Sequence, residues 1–357
     1  MKIDKIMAKA KKTSALKKFF IVFVVLLIAG AGIMGYDYYE RIYAPNISMG
    51  IKKNSFFYIH TGADFNDVFN DLQSQHILVN IESFEWLAER MKYKQKVIPG
   101  RYRIRSGMNN KEFISLLRSG KQEPINVVFN NIRTKEQLAG RIAQQIEADS
   151  ISFLKEIKKD TLLDKLKLTA ENSLVLFIPN TYEFYWNTSA EKFVARMVKE
   201  YEKFWTKERK HKADELGLKL SEISILASIV QQESNKKDEK PRIAGVYLNR
   251  LKTGCLLEAD PTLVFAVGDF TIKRVLNIYK EIDSPYNTYK CKGLPPGPIC
   301  VPSPSSIDAV LNYEKHKYIY FCAKEDLSGY HNFAVTLTQH MANARKFHDE
   351  LNRRKIK

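Results

Sequence analysis

The stretch S-E-I-S-I-L-A-S-I-V-Q-Q-E-S-N covers residues 221–235 and has the spacing of a helix with one buried face. Ser221 is a suitable N-cap residue at its start. The residues that form its apolar face are Ile225, Leu226, Ile229 and Val230. Glu233 follows on the same face, so we expect its carboxyl group at the buried C-terminal end of the helix.

This position favours a protonated carboxyl group on Glu233. Apolar surroundings disfavour the anion, and the negative end of the helix dipole adds to the effect. A glutamic acid that stays neutral near pH ~7 can protonate a glycosidic oxygen as a general acid. The spacing alone also allows a glutamate that frays into solvent.

Loops rich in proline, glycine and polar residues follow this helix. They are L-E-A-D-P-T (257–262), D-S-P-Y-N-T-Y (283–289), G-L-P-P-G-P-I (293–299) and G-Y-H-N-F (329–333). Their polar side chains are of the types that bind sugars, and Pro-Pro-Gly gives a rigid loop. His331 is a candidate second acid or base, or else a hydrogen-bonded structural histidine. The sequence has neither H-E-x-x-H spacing for a metal nor a G-x-S-x-G or S-x-x-K serine motif.

Taken in order, six motifs resemble those of the YceG-like endolytic murein transglycosylases. They are A-S-I-V-Q-Q-E-S, R-I-A-G-V-Y-L-N-R-L, E-A-D-P-T, S-P-Y-N-T-Y, G-L-P-P-G-P-I and H-N-F. The resemblance is closest over residues 171–352 and implies a catalytic domain at 171–357, with Glu233 as its acid/base. Family members often carry a second acid where this chain has Gln231, and that departure removes the nearest competitor of Glu233.

The other family motifs imply contacts with the substrate. The residues concerned are Asn287, Thr288 and Tyr289, with Asp260, Thr262, His331 and Phe333 nearby. The implied reaction protonates the oxygen leaving C1 of N-acetylmuramic acid, and the C6 hydroxyl of that sugar then closes a 1,6-anhydro ring. This reaction needs no cofactor or metal. A muramidase that uses Asp260 or another acid as second carboxylate, and a non-catalytic anchored peptidoglycan-binding protein, are the alternatives.

Phe19 to Tyr36 is an uncharged, mostly apolar run of 18 residues. A helix of this length just crosses a hydrocarbon core of ~30 Å. The lysines in residues 1–18 predict a cytoplasmic N-terminus, and therefore a single-pass anchor in the cytoplasmic (inner) membrane with residues after about 40 outside. A cleaved signal peptide is the alternative, although its apolar region would be shorter. The resemblance further implies endo-cleavage of nascent strands near the membrane, and contact with peptidoglycan synthases is a hypothesis.

The net charge of +17 suits a polyanionic partner. Seven lysines and one aspartate in residues 1–18 contribute +6 of it, and the rest of the chain contributes +11. The candidates are nucleic acid, anionic lipid and an acidic cell-wall polymer. Nucleic acid is excluded for a domain outside the membrane, and a lipid-binding protein would explain the charge but none of the motifs.

Between the anchor and the catalytic domain we expect a polar linker (37–54), a small module (55–125) and a connecting helical region (126–170). The module contains a repeat, because Phe57–Leu72 matches Tyr102–Leu117 in a strand, a Thr/Ser-Gly turn and an amphipathic helix. The resemblance makes this module LysM-like, and it serves either as a binding unit or as a spacer. The predicted fold is α+β, with a transmembrane helix, the module and a mixed α/β catalytic domain.

Four cysteines lie in the last third of the chain, namely Cys255, Cys291, Cys300 and Cys322. They form no C-x-x-C pair, so neither a zinc site nor a thioredoxin-like site is indicated. Disulfides are permitted outside the membrane, and Cys291 with Cys300 is the most plausible pair. The alternative is four small buried residues.

Overall fold

The computed structural model describes residues 2–48, 50, 52, 55–272 and 274–354. Helix α1 (Lys2–Tyr43) is apolar enough over Lys17–Tyr43 to cross a membrane, with a mean hydropathy of 2.5. Residues 37–43, predicted as linker, continue this helix, since no proline or glycine interrupts it before Pro45. The single N-terminal apolar helix expected from the sequence is therefore present, and it is longer than predicted.

The chain contacts divide into two compact units, of which the first comprises the residues up to Pro124 and Tyr185–Asn187. After α1 its elements are β1 (Ser55–Ile59), α2 (Phe65–Ser74), α3 (Ile81–Arg90), β2 (Gly100–Ile104) and α4 (Asn110–Ser119). Each copy of the repeat thus forms a strand, a turn and a helix. Strands β1 and β2 pair antiparallel, with Ser55 opposite Ile104.

The core of the first unit includes residues of the predicted linker. Ile47 is buried in the same cluster as Phe57 and Phe113. The buried Asn46 donates from Nδ2 to the carbonyl of Asn80 at 2.8 Å and to Asn110 Oδ1 at 2.7 Å. Residues 46 and 47 are therefore packed into the unit, because hydrogen bonds and apolar burial fix them there.

The second unit comprises residues 125–184 and 188–354. Its helices are α5 (Lys135–Ala143), α6 (Ser150–Ile157), α7 (Asp160–Leu166), α8 (Ala190–Phe204), α9 (Lys207–Leu216), α10 (Leu220–Glu233), α11 (Lys240–Thr253), α12 (Asp260–Val267), α13 (Pro304–Leu311) and α14 (Leu337–Arg353). Its strands are β3 (Ile125–Val128), β4 (Thr181–Phe184), β5 (Tyr320–Ala323) and β6 (His331–Ala334).

These strands form two separate antiparallel pairs, β3 with β4 and β5 with β6. Short antiparallel pairs need no helical crossover between their strands. The whole chain is α+β, as predicted. The second unit mixes helices and strands, but it is mainly helical and its strands form only short pairs. Residues 126–170 also belong to this unit, because Phe129 and Phe153 share its core with Phe193.

Helix α10 is the centre of the second unit. All its residues from Ile223 to Val230 are buried, so it is enclosed on every side and not on one face alone. Its N-cap is Lys219, two residues before the predicted Ser221, because the Glu222 carboxylate accepts a hydrogen bond from the Lys219 amide at 2.7 Å. Two of its buried polar residues, Ser224 and Ser228, find hydrogen-bond partners in the interior.

We expect Ser228→Ala to destabilise the second unit. The Ser228 hydroxyl accepts a hydrogen bond from the Ile299 amide at 3.0 Å, and its loss leaves that buried N–H unsatisfied at a cost of about 1–3 kcal/mol. Thermal unfolding of the full chain should show a lower midpoint. Ser224→Ala is the matched control, since the Ser224 hydroxyl bonds only to Leu220 within the helix. Equal midpoints for the two variants would contradict the assigned role.

Candidate active site

Glu233 is the last residue of α10, and its part-buried carboxyl group faces a cleft in the second unit. The hydroxyl of Tyr247, on α11, donates to Glu233 Oε1 at 2.5 Å. The pKa of Glu233 is raised to about 7, because burial and, to a smaller extent, the charge of Asp260 raise it more than the hydrogen bond from Tyr247 lowers it. The net effect is a carboxyl group that both donates and accepts a proton near neutral pH.

Tyr247 is a functional residue that the sequence analysis missed. It lies within R-I-A-G-V-Y-L-N-R-L, a family motif to which no role had been given. Its side chain is 1% exposed and its ring packs edge-on against Phe321, 5.8 Å between centroids. Burial and the neighbouring Glu233 raise the pKa of Tyr247 well above its ordinary value, so the hydroxyl stays a hydrogen-bond donor.

A second carboxylate, Asp260, lies at the start of α12. The Tyr289 hydroxyl donates to Asp260 Oδ1 at 2.6 Å, and burial together with this bond raises the pKa of Tyr289. Asp260 itself is exposed to solvent. The structure therefore brings together four of the sequence-predicted residues on one pocket, namely Glu233, Asp260, Tyr289 and His331.

Thr262, Asn287 and Thr288 are buried and bonded within the protein. Asn287 donates to the carbonyls of Lys280 and Ile282 and accepts from the Tyr289 amide. The Thr262 and Thr288 hydroxyls are 2.8 Å apart. These contacts favour a role in shaping the loop that carries Tyr289, and the direct substrate contact that the motifs implied for the three side chains stays a prediction.

His331 lines the same pocket at the start of β6. Its Nδ1 lies 2.8 Å from Oε2 of Glu239, and its amide donates to Oε1 of the same carboxylate at 2.7 Å. Glu239 is 3% exposed and also accepts from the Ser234 hydroxyl at 3.2 Å, and the sequence analysis missed it. Phe333 does not line the pocket itself but packs behind it, with its ring centroid 6.0 Å from that of the lining residue Phe321 and with Arg242 over its ring.

Glu233 and Asp260 lie where two pockets meet, and both pockets include them. One, of about 420 Å³, also contains Tyr247, Tyr289 and His331. The other, of about 1070 Å³, is lined by residues that include Arg133, Phe270, Arg274, Lys280 and His348. Together they form one extended cleft beside Glu233, with room for several sugar units of a polymer.

Cys322 lines both pockets, whereas the other three cysteines and Gln231 line neither. All four cysteines are free thiols, and Cys300 is buried against the carbonyl of Ser228 at 3.6 Å, so the disulfide suggested with the exposed Cys291 is not formed. Gln231 accepts hydrogen bonds from the Ser303 amide and the Ser306 hydroxyl, which fasten α10 to α13 and the loop before it. In the part of the chain that the structure describes, no group of three or more His, Cys, Asp or Glu could hold a metal ion.

A cleft that contains a carboxyl group of raised pKa and a second carboxylate is typical of an acid-catalysed polysaccharide-cleaving site. The YceG-like family model matches residues 57–346. The chain therefore belongs to the YceG-like family, which confirms the resemblance found in the sequence.

Relatives of known description agree with this assignment. An endolytic murein transglycosylase of Bacillus subtilis is 27% identical over 340 residues, covering 90% of this chain and 91% of the relative. One of Streptococcus pneumoniae is 26% identical over 337 residues, and the match covers 85% of this chain but 60% of that longer protein. A crystal structure of a protein described as yceG-like, from Listeria monocytogenes, matches 82% of this chain and 99% of its own, with 27% identity and a TM-score of 0.54.

We expect Tyr247→Phe to raise the pKa of Glu233 above about 7, because the lost hydrogen bond stabilises the ionised carboxylate. The carbon-13 chemical shift of the Glu233 carboxyl, assigned by its disappearance in Glu233→Gln, measures this titration. Tyr320→Phe is the matched control, since Tyr320 lines the same pocket whereas the hydrogen bond to Glu233 comes from Tyr247. A downward shift in Tyr247→Phe, or an equal shift in both variants, would contradict the prediction.

Proposed function

We propose that this chain is an endolytic peptidoglycan lytic transglycosylase. It cleaves the bond between N-acetylmuramic acid and N-acetylglucosamine and leaves a 1,6-anhydro end, with Glu233 as acid and base. The observation that carries the proposal is the Glu233 carboxyl group, whose pKa is raised to about 7 in an extended cleft. Membership of the YceG-like family and the names of the relatives support it.

In the first step, protonated Glu233 gives its proton to the glycosidic oxygen. The bond between C1 of N-acetylmuramic acid and that oxygen breaks, the leaving sugar departs with a free hydroxyl, and C1 becomes oxocarbenium-like. In the second step, ionised Glu233 takes the proton of the C6 hydroxyl on the same sugar as that oxygen bonds to C1. The acid is regenerated and no water is consumed.

The neighbours of Glu233 support both steps. The hydrogen bond from Tyr247 stabilises the carboxylate after the first proton transfer. The negative charge of Asp260, oriented by Tyr289, can stabilise the positive charge that develops at C1. His331, oriented by Glu239, is available to contact the sugar at the edge of the pocket.

A hydrolytic muramidase is the second candidate, and the proximity of Asp260 favours it. The charge of Asp260 contributes to the raised pKa of Glu233, so two carboxylates share the site, as in ordinary glycosidases. The names of the relatives favour the lytic reaction instead. The two reactions leave different ends, because the hydrolase leaves a reducing sugar and the lytic enzyme leaves the anhydro ring.

The N-terminal segments complete the proposal. Helix α1 anchors the chain in the cytoplasmic (inner) membrane with residues 1–18 inside and the residues after about 40 outside, where the enzyme limits the length of nascent strands. The module at 55–125 is a LysM-like strand-binding unit, a role supported by its strand–helix–helix–strand order. We retain contact with peptidoglycan synthases as a hypothesis, and absence of synthases from crosslinked pull-downs of the full chain would contradict it.

The experiment is mass spectrometry of fragments released from peptidoglycan by the full-length protein in detergent. We expect anhydro ends with the wild type and a loss of roughly 100-fold or more with Glu233→Gln. Asp260→Asn should slow release but keep the anhydro ends, since Asp260 only stabilises charge. Reducing ends would identify a muramidase, and release by Glu233→Gln at the wild-type rate would overturn the assignment of Glu233.

A further inference from the structure

The larger pocket of the cleft is rich in positive charge. Its cationic side chains are Arg133, Arg274 and Lys280, and its two acidic residues, Glu233 and Asp260, are those of the catalytic end. Among the described residues, no carboxylate lies within ion-pair distance of Arg133, Arg274 or Lys280. We call these three cations, with the walls around them, the cationic arm.

Arg133 is held in a fixed position beside the catalytic acid. Its Nη2 donates to Gln232 Oε1 at 2.9 Å, and Gln232 immediately precedes Glu233 in α10. Its guanidinium carbon lies 4.6 Å from the ring centroid of Phe270. The backbone before it is tied down as well, because the Val301 amide donates to the Ile132 carbonyl at 2.8 Å. A part-buried guanidinium oriented in this way, without a carboxylate partner, is suited to an incoming anion.

Lys280 is also positioned by the loop around the site. Its ammonium nitrogen lies 4.7 Å from the ring centroid of Tyr289, and its carbonyl accepts a hydrogen bond from Asn287 at 2.9 Å. The same loop residues that present Tyr289 to Asp260 therefore also present a cation to the cleft. The apolar side chains that line the same pocket include Val264, Phe270, Ile272, Val275 and Phe347.

This combination of cations and apolar walls is more than a neutral sugar chain requires. In a peptidoglycan strand that carries stems, the lactyl group of N-acetylmuramic acid is joined to the stem by an amide bond, so the negative charge is carried by the carboxylates of the stem itself, which also has apolar side chains. A carboxylate matches the fork of a guanidinium in charge and geometry. We infer that the cationic arm binds the stem-peptide carboxylates of the strand that lies across Glu233, an inference that rests on the proposed function.

The consequence is a preference for strands that carry stem peptides with free carboxylates. Arg133 is connected to Glu233 through Gln232, so a stem seated on Arg133 fixes the position of the neighbouring sugar relative to the acid. Strands with charged stems should therefore bind more tightly than otherwise identical strands whose stem carboxylates have been neutralised.

The test is a binding measurement with the full chain carrying Glu233→Gln, so that the strands are not consumed. The probes are soluble glycan strands with intact stems and the same strands with their stem carboxylates amidated. We expect the dissociation constant to be about tenfold lower for the intact strands, the effect of one charge-assisted hydrogen bond. Adding Arg133→Gln should abolish this difference, and Arg133→Lys, which keeps the charge, should retain part of it.

Lys210→Gln is the matched charge control, because Lys210 is exposed on α9 and does not line the cleft. It should leave the preference for strands with intact stems unchanged. Any strand binding by the first unit is the same in every protein compared. Equal affinity for intact and amidated strands, or the same loss with Arg133→Gln and Lys210→Gln, would overturn the inference. Failure of the proposed reaction would appear separately, as the absence of anhydro ends from wild-type digests.

Discussion

The hydrogen bond from Tyr247 to Glu233 connects the two helices on which the site depends. It opposes the burial of Glu233, which would otherwise raise the pKa of the carboxyl group further. A carboxyl group in water would be ionised at neutral pH and useless as an acid, whereas a fully desolvated one could not give up its proton. The balance of burial, hydrogen bond and the charge of Asp260 leaves the pKa of Glu233 at about 7, where one group can serve both steps of the proposed reaction.

The rest of the second unit holds this balance in position. Helix α10 is buried on all sides, so Glu233 cannot move away into solvent without disrupting the core. Ser228 and Gln231 fasten the helix to the loop before α13 through hydrogen bonds to Ile299 and Ser303. The buried Glu239 fixes His331 on the other side of the pocket. Positions that carry no substrate contact thus determine the geometry of those that face the cleft.

Much of this arrangement follows from local sequence patterns. The apolar spacing before Glu233 predicts its place at the end of a buried helix, and the repeat predicts two strand–turn–helix units in the first unit, because both signals depend on neighbours a few residues apart. The partners of the site could not be found in this way. Tyr247 and Glu239 contact Glu233 and His331 only after separate elements have packed together. The spacing of apolar residues along the sequence does not predict such contacts.

The differences between the structure expected from the sequence and the observed one have the same cause. Asn287, Thr288 and Thr262 have the chemistry of sugar-binding residues, yet tertiary packing buries their side chains within the loop. Residues 37–47 look like a polar linker, but helix continuation and the Asn46 hydrogen bonds incorporate them into the first unit. The cysteine pair suggested by a proline-rich loop is separated because Cys300 is buried against α10 while Cys291 is exposed.

If one glutamic acid of raised pKa drives the reaction, its titration controls the pH dependence of kcat/KM for strand cleavage. Glu233 must be protonated to act first as an acid, so we expect kcat/KM to be retained below pH 7 and to fall as the pH rises through about 7. A kcat/KM that already falls as the pH rises through the ordinary glutamate pKa of about 4.3 would show that the carboxyl group of Glu233 is unperturbed, and would contradict this mechanism.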